Sequence, residues 1–158
     1  TEIGIAGYPE GHPRIPHARL MASLLEKQLV ADYVTTQMCF DAAATTAWIH
    51  EIRRNGVTLP VHIGIPGVTS LSRLLSVSAK IGVGASLRFL SKHAGITGLV
   101  RRGTYTPERL VAELIPAIDV RGFHIYTFNQ VDTTQQWCKS DMANLQLERG
   151  EANDGVQP

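Results

Sequence analysis

The stretch PVHIGIPGV, Pro60 to Val68, contains an apolar run from Val61 to Ile65 and ends in a Pro-Gly turn. Its length and its β-branched residues predict a buried strand. Three other runs have the same character: Ile3 to Ala6, Tyr33 to Gln37 and Phe123 to Phe128. All four are apolar on both faces, which is typical of a parallel sheet covered by helices.

Segments with helical spacing separate these runs. Asp41 is a good N-cap, and Asn55-Gly56 is a good stop, for a helix between them. Three other helices are expected: from near Ser70 to before Gly82, over Ala85 to His93, and after Thr106 as cap with Pro107 at the first helical position. The alternation predicts an α/β fold, either an open doubly wound sheet or a barrel.

The composition excludes several classes of function. The chain has 158 residues, 44% of them hydrophobic and 18% charged, as is usual for a soluble globular domain. Its 15 basic and 14 acidic residues provide no positive surface for nucleic acid or anionic lipid. No apolar run is long enough to span a membrane, and no export signal opens the chain. The widely separated Cys39 and Cys138 fit a reducing compartment, so we expect a cytoplasmic protein.

Metal and nucleophile signatures are also missing from the sequence. The six histidines are scattered, with no paired spacing for a metal, and neither cysteine lies in a nucleophile motif. We therefore expect no metal site, and a metal-dependent or nucleophilic hydrolase is the weakest of the functional hypotheses.

Polar side chains lie where the predicted strands end, which is where parallel α/β folds bind ligands. Tyr8 offers an aromatic face and a phenol donor, and His12 can hold a proton or donate to an anion. The amide of Gln37 suits a heterocyclic amide such as a pterin. Asp41 is interpreted as a helix cap and not as a catalytic carboxylate.

A glycine-rich stretch, Gly82 to Ser86, precedes one predicted helix. It has some character of a phosphate-binding loop, and Arg88 could reach a phosphate there. The spacing lacks the full GxGxxG pattern, and a turn with an N-cap is the alternative.

Four strings at the strand ends carry a resemblance to a known family. They are YPEGHP at Tyr8 to Pro13, TTQMCFD at Thr35 to Asp41, PVHIGIPGV at Pro60 to Val68, and GFHIYTFN at Gly122 to Asn129. In order and spacing they resemble methylenetetrahydrofolate reductases. The resemblance implies a (β/α)8 TIM barrel with flavin and folate at its C-terminal face. This chain would supply the last four β-α units, with residues 1–145 forming the C-terminal half of the barrel and 146–158 a flexible polar tail.

The same resemblance implies roles for individual residues. Tyr8 and His12 match positions that contact flavin, and Lys27 is the basic residue retained in the following helix. Gln37 matches a position that hydrogen-bonds the pterin or the nicotinamide, and Tyr126 a position in the folate pocket.

Two substrate positions depart from the family pattern. Arg73 stands where the family often has a folate-contacting glutamine, and Gln130 stands where it has a basic residue. Arg73 could pair with the benzoyl-glutamate of folate or with a cofactor phosphate, because a guanidinium binds both. A surface arginine on a helix is the alternative.

The activity implied for the complete protein is reduction of 5,10-methylenetetrahydrofolate to 5-methyltetrahydrofolate, a reaction of one-carbon metabolism and methionine biosynthesis. NADH or NADPH would supply the hydride. FAD is the family's flavin, but the helix after YPEGHP is mainly apolar, which leaves open direct transfer from nicotinamide to folate.

The family keeps its general acid in the N-terminal half of the barrel, so no catalytic residue is expected in this segment, which would be inactive alone. The expected partners are the folate substrate, that N-terminal half and another copy of the chain. The alternative function is a non-catalytic half barrel that binds folate or a nucleotide, which a folate titration without turnover would reveal.

Overall fold

The computed structural model describes residues 1–81, 100–101, 103–116 and 121–142. Its elements in chain order are β1 (Gly4–Gly7), α1 (His17–Lys27), β2 (Tyr33–Thr36), α2 (Ala42–Arg54), β3 (Val61–Pro66), β4 (Thr69–Ser70), α3 (Leu71–Ile81), β5 (Val100–Arg101), β6 (Thr104–Tyr105), α4 (Glu108–Leu114), β7 (Gly122–Tyr126) and α5 (Val131–Trp137), followed by a π-helical turn, Cys138–Met142.

The four predicted strands form one parallel sheet in the order β1-β2-β3-β7. This confirms the α/β fold with a parallel sheet. The strand ends differ from the prediction by one or two residues. In particular, β2 ends at Thr36, so that Gln37 lies beyond the ladder and not within the strand.

The helix predicted after Asp41 is confirmed in detail. The Asp41 carboxylate accepts a hydrogen bond of 2.9 Å from the backbone N of Ala44, and Gly56 ends the helix with a φ of 89°. Helix α3 follows Ser70 and ends before Gly82, as predicted.

The start of α4 was predicted incorrectly. Pro107, and not Thr106, occupies the N-cap position, and no side chain caps this helix. The carbonyl of Pro107 accepts the first hydrogen bond of the helix, from the backbone N of Val111 at 3.0 Å, as the carbonyl of a cap residue does. The glycine-rich stretch with Arg88, the helix over Ala85 to His93 and the polar tail lie outside the described residues.

Helices cover one face of the parallel sheet. Val61, Ile63 and Ile65 of β3 are fully buried in a core with apolar residues of α2 and α4: Trp48, Ile49, Ile52, Leu110, Val111 and Leu114. Alternate residues of the same sheet are polar or aromatic, and there Tyr33 meets His62 and His124 meets Tyr126, ring edge to ring face. The helix-covered face therefore holds the core, and the other face holds the polar groups. The prediction that the strands are apolar on both faces was wrong, because the second face carries polar and aromatic side chains.

A second, smaller sheet was not predicted. Strands β4, β6 and β5 pair antiparallel in that order next to the C-terminal end of β3. Tyr105 of β6 is buried against Phe40 and Leu74, with Met38 in the same apolar cluster. This small sheet closes over the loop that follows β2.

No helix among the described residues combines the length and the apolar content needed to cross a membrane.

Candidate functional site at the strand ends

The loop after β1 is a tight turn. Gly11 has a φ of 79°, which favours glycine, and its backbone N donates to the carbonyl of Tyr8 at 3.1 Å. The turn brings the His12 ring to 5.4 Å from the Tyr8 ring, centre to centre and edge to face. The Nδ1 of His12 accepts from the backbone N of Arg14 at 3.2 Å, which orients the imidazole.

Gln37 is the first residue after β2, and it is half-buried. Its backbone N donates to the carbonyl of Gly7 at 2.7 Å, and its side-chain Oε1 accepts from the backbone N of Met38 at 3.0 Å. These bonds fix the side chain through its oxygen. The amide Nε2 has no hydrogen-bond partner among the described residues, so it remains a donor for a ligand.

Tyr126 ends β7 and reaches across β3 toward β2. Its phenol donates to the carbonyl of Thr36 at 3.2 Å. This crossing requires a glycine at position 64, since a Cβ there would lie 2.4 Å from the Thr36 carbonyl oxygen and 2.9 Å from the Tyr126 ring. Burial, followed by the charges of Cys39 and Tyr8, raises the pKa of Tyr126. The phenol therefore stays protonated as a donor near neutral pH.

Cys39 lies in the loop between β2 and α2, and its side chain is fully buried. Its thiol donates to the carbonyl of Gln37 at 3.1 Å. Burial and, to a lesser extent, the negative charge of Glu10 raise the pKa of Cys39 to about 12. A thiol that holds its proton so strongly is a poor nucleophile, and it serves here as a structural donor.

Glu10 is a site residue that the sequence did not reveal. Its Oε1 accepts from the backbone N of Phe40 at 2.5 Å and from that of Asp41 at 2.8 Å. The carboxylate of the first loop thereby joins the loop that follows β2. Nothing in the YPEGHP string distinguishes this carboxylate from a solvated one.

Arg73 lies in α3, and its side chain reaches the turn after β7, where Gln130 precedes α5. The Arg73 guanidinium donates to the carbonyl of Phe128 at 3.0 Å. Phe128 and Asn129 have φ values of 53° and 59°, an uncommon conformation for residues other than glycine. The backbone of Gln130 then donates to Thr127 at 2.8 Å and begins α5.

Lys27 lies apart from the strand ends. It lines a groove of about 200 Å³ between α1 and β1, together with Tyr8, Arg19 and Ser23. Arg19, Ser23 and Lys27 are spaced by four residues and so share one face of the helix. This spacing is visible in the sequence and could have identified Arg19 beside Lys27.

The predicted site residues therefore fall into three neighbouring places. Tyr8 and His12 form one pair, with Tyr8 also lining the groove that contains Lys27. The Tyr126 ring and the backbone carbonyl of Gln37 both lie close to Gly64, and the Arg73 guanidinium reaches the turn after β7 that leads to Gln130. No group of three metal-ligating side chains that could hold an ion occurs in the part of the chain that the structure describes.

A comparison with family models matches residues 1–141 to methylenetetrahydrofolate reductase. The chain belongs to the methylenetetrahydrofolate reductase family. This confirms the resemblance found in the four strand-end strings, all of which lie within the matched residues.

Individual relatives agree with this assignment. Methylenetetrahydrofolate reductase 2 of Saccharomyces cerevisiae is 30% identical over 135 residues, which cover 80% of this chain and 22% of that protein. Methylenetetrahydrofolate reductase 1 of Schizosaccharomyces pombe is 27% identical with the same coverage of both chains. The 5,10-methylenetetrahydrofolate reductase of Buchnera aphidicola is 22% identical over 87% of this chain and 48% of its own length. The chain thus spans less than half of each of these relatives.

Proposed function

We propose that the complete polypeptide containing this chain reduces 5,10-methylenetetrahydrofolate to 5-methyltetrahydrofolate with hydride from NADH or NADPH. The observation that supports this most is the position of Tyr8, Gln37 and Tyr126 in a chain of this family. Each follows or ends a parallel strand on the same edge of one sheet. That edge is where parallel α/β folds bind their ligands.

The fold we propose for the complete protein is a (β/α)8 barrel, of which residues 1–145 form the C-terminal half. The parallel strands of this sheet follow one another in chain order, whereas a doubly wound sheet reverses its order at a switch point. The outer strand β1 also exposes residues that a neighbouring strand would cover, and Ile3 just before it is 51% exposed. Residues 146–158 are proposed to form a polar tail.

The folate substrate is proposed to bind at the ends of β2 and β7. The Nε2 of Gln37 is positioned as a donor to the pterin, and the ring of Tyr126 borders the same place. The Arg73 guanidinium, from α3, and Gln130 lie beside the turn after β7, where the benzoyl-glutamate end of the substrate would extend. A guanidinium can bind that carboxylate while it also holds the Phe128 carbonyl, because it has five N–H donors.

Tyr8, His12 and Lys27 are proposed to bind the cofactor. The groove between α1 and β1 has two cations, Arg19 and Lys27, and the phenol of Tyr8 on its wall. These donors fit the phosphates of a dinucleotide. A volume of about 200 Å³ is below the range of complete ligand pockets, so these residues fit only part of such a cofactor.

A reduced nicotinamide supplies the hydride when it is bound, either directly or through FAD. The residues of this chain contribute positioning, since hydride transfer depends on holding the donor carbon against the acceptor carbon. The general acid is proposed to lie outside this segment. Because both cysteines are free thiols, we also propose a cytoplasmic location for the protein.

The test is oxidation of NADH and NADPH by the purified complete polypeptide when methylenetetrahydrofolate is added. The proposal predicts oxidation that depends on the folate, with kcat/KM lowered about tenfold or more in Gln37→Ala, which loses the half-buried amide donor. Folate binding without any turnover would contradict the proposal. The visible spectrum of the same preparation shows whether FAD is bound.

A further inference from the structure

The carboxylate of Glu10 connects the two loops that hold the proposed binding residues. Its Oε1 accepts from the backbone N of Phe40 and of Asp41, which lie 30 and 31 residues further along the chain. Bonds from an N–H to a carboxylate are stronger than bonds between neutral groups. Glu10 is only half exposed, so water weakens these bonds less than it would on an open surface.

The Glu10 carboxylate also lies at the start of α2, where it and the Asp41 carboxylate accept hydrogen bonds from different backbone N–H groups. Asp41 caps the helix locally through Ala44, while Glu10 reaches the preceding amides from another loop. Both carboxylates benefit from the positive end of the helix dipole. Of the two carboxylates, Glu10 is the one that connects the start of α2 to the loop after β1.

The segment from Gln37 to Phe40 is therefore held at both ends, to the last residue of β1 at one end and to the loop after β1 at the other. Gln37 donates its backbone N–H to Gly7 at 2.7 Å, and Phe40 donates to Glu10. Glu10 itself lies midway between Tyr8 and His12, two residues from each. Loss of its carboxylate would free one end of the segment that carries Gln37.

We propose that Glu10 is a positioning residue that sets the Gln37 amide relative to Tyr8 and His12. It acts through the backbone of Phe40 and Asp41 and does not touch the reacting atoms. The kinetic consequence rests on the proposed function, whereas the link between the two loops does not.

The kinetic test compares variants of the complete polypeptide. Glu10→Ala is expected to lower kcat/KM for methylenetetrahydrofolate about tenfold, because two hydrogen bonds to a charged group are lost. Glu10→Gln keeps an acceptor oxygen and is expected to lower it only about threefold. Asp41→Ala is the matched control, since it removes a carboxylate from the same helix end without cutting the link, and its kcat/KM should stay within about twofold of the wild type.

A double-mutant cycle separates positioning from simple destabilisation. If Glu10 acts through Gln37, then Glu10→Ala should change kcat/KM by less than about twofold in a protein that already contains Gln37→Ala. If the losses of kcat/KM caused by Glu10→Ala and by Gln37→Ala simply multiply in the double variant, the proposal is overturned. Equal losses of kcat/KM in Glu10→Ala and Asp41→Ala would also overturn it.

Hydrogen exchange gives a readout that does not need turnover. Backbone amides of residues 37–41 should exchange at least about tenfold faster in Glu10→Ala, with Glu10→Gln intermediate and with residues 61–66 of β3 unchanged. Unchanged exchange at residues 37–41 in both variants would overturn the link even if the wild type is an active reductase. A wild type without reductase activity would refute the proposed function, and the exchange result would still decide the role of Glu10.

Discussion

Thr36 is the residue through which three strands of the sheet are joined at their C-terminal ends. Its hydroxyl donates to the carbonyl of Gln37 at 2.9 Å and accepts from the backbone N of Gly64 at 2.8 Å. Its own carbonyl accepts the phenol of Tyr126. A fully buried threonine whose hydroxyl and carbonyl are both bonded specifies one arrangement of its neighbours, because an unbonded polar atom would be costly there.

The bond from Tyr126 to Thr36 can be tested by removal of one oxygen. Tyr126→Phe should lower the free energy of unfolding by about 1 kcal/mol, the usual net value of such a bond. Tyr33→Phe is the control, since the Tyr33 phenol has no hydrogen bond among the described residues. Equal effects of the two substitutions in urea denaturation would show that the Thr36 bond contributes nothing specific.

The buried thiol of Cys39 should react slowly with iodoacetamide. Its pKa is raised from 9.0 to about 12, so the reactive thiolate is scarce at pH 8 and the alkylation rate should keep rising well above pH 9. Cys138 is partly exposed and serves as the internal comparison. Mass spectrometry of the alkylated protein measures both sites. A native Cys39 that reacts as fast as it does in urea would contradict its burial and its raised pKa.

The sequence could reveal site residues that stand at strand ends, but not contacts between residues far apart in the chain. Tyr8, Gln37 and Tyr126 were predictable because parallel strands end on one edge, so a polar residue after an apolar run has a known place. The bond from Glu10 to Phe40 was not predictable, because it depends on the path of two loops that are 30 residues apart. The contact of Arg73 with Phe128 spans 55 residues and is hidden for the same reason.

At the level of elements, the four strands of the parallel sheet were predicted from their β-branched runs, and α2 from its cap and stop residues. The small antiparallel sheet was missed because its strands have two residues each, too few to show a period of two. The start of α4 was misplaced because a threonine before a proline has the pattern of a cap, although the proline itself takes that position.

Strand β3 can approach its neighbours closely because it has a glycine at position 64. Gly64→Ala places a Cβ within 2.4 Å of the Thr36 carbonyl oxygen, so the strand must shift, and we expect a loss of about 2–3 kcal/mol in the free energy of unfolding. Gly122→Ala is the matched control in β7, because its Cβ would have its nearest neighbour, the Nδ1 of His62, at 3.8 Å. Chemical denaturation of both variants gives the comparison, and similar losses would contradict the tight crossing at Gly64.

At the level of the whole molecule, the sheet has two edges whose outer strands lack neighbours among the described residues. Two of the four residues of β1 are exposed and one is buried, whereas β3 in the middle of the sheet is almost entirely buried. An exposed strand edge pairs readily with another chain. In the proposed barrel, the strands that complete the circle cover both edges.

This arrangement predicts the behaviour of residues 1–158 produced alone. The segment should self-associate or precipitate, because the β1 edge and the side chain of Ile3 are then open to other copies. Analytical ultracentrifugation measures the outcome, with the complete polypeptide as the control. A stable, monodisperse monomer of the segment would count against the half barrel.

The most direct test of the central claim is an experimental structure of the complete polypeptide with folate bound. We predict that the pterin lies at the C-terminal ends of β2 and β7, within hydrogen-bond distance of the Gln37 amide and in contact with the Tyr126 ring. Folate bound at the opposite edge of the sheet, or away from both side chains, would contradict the account.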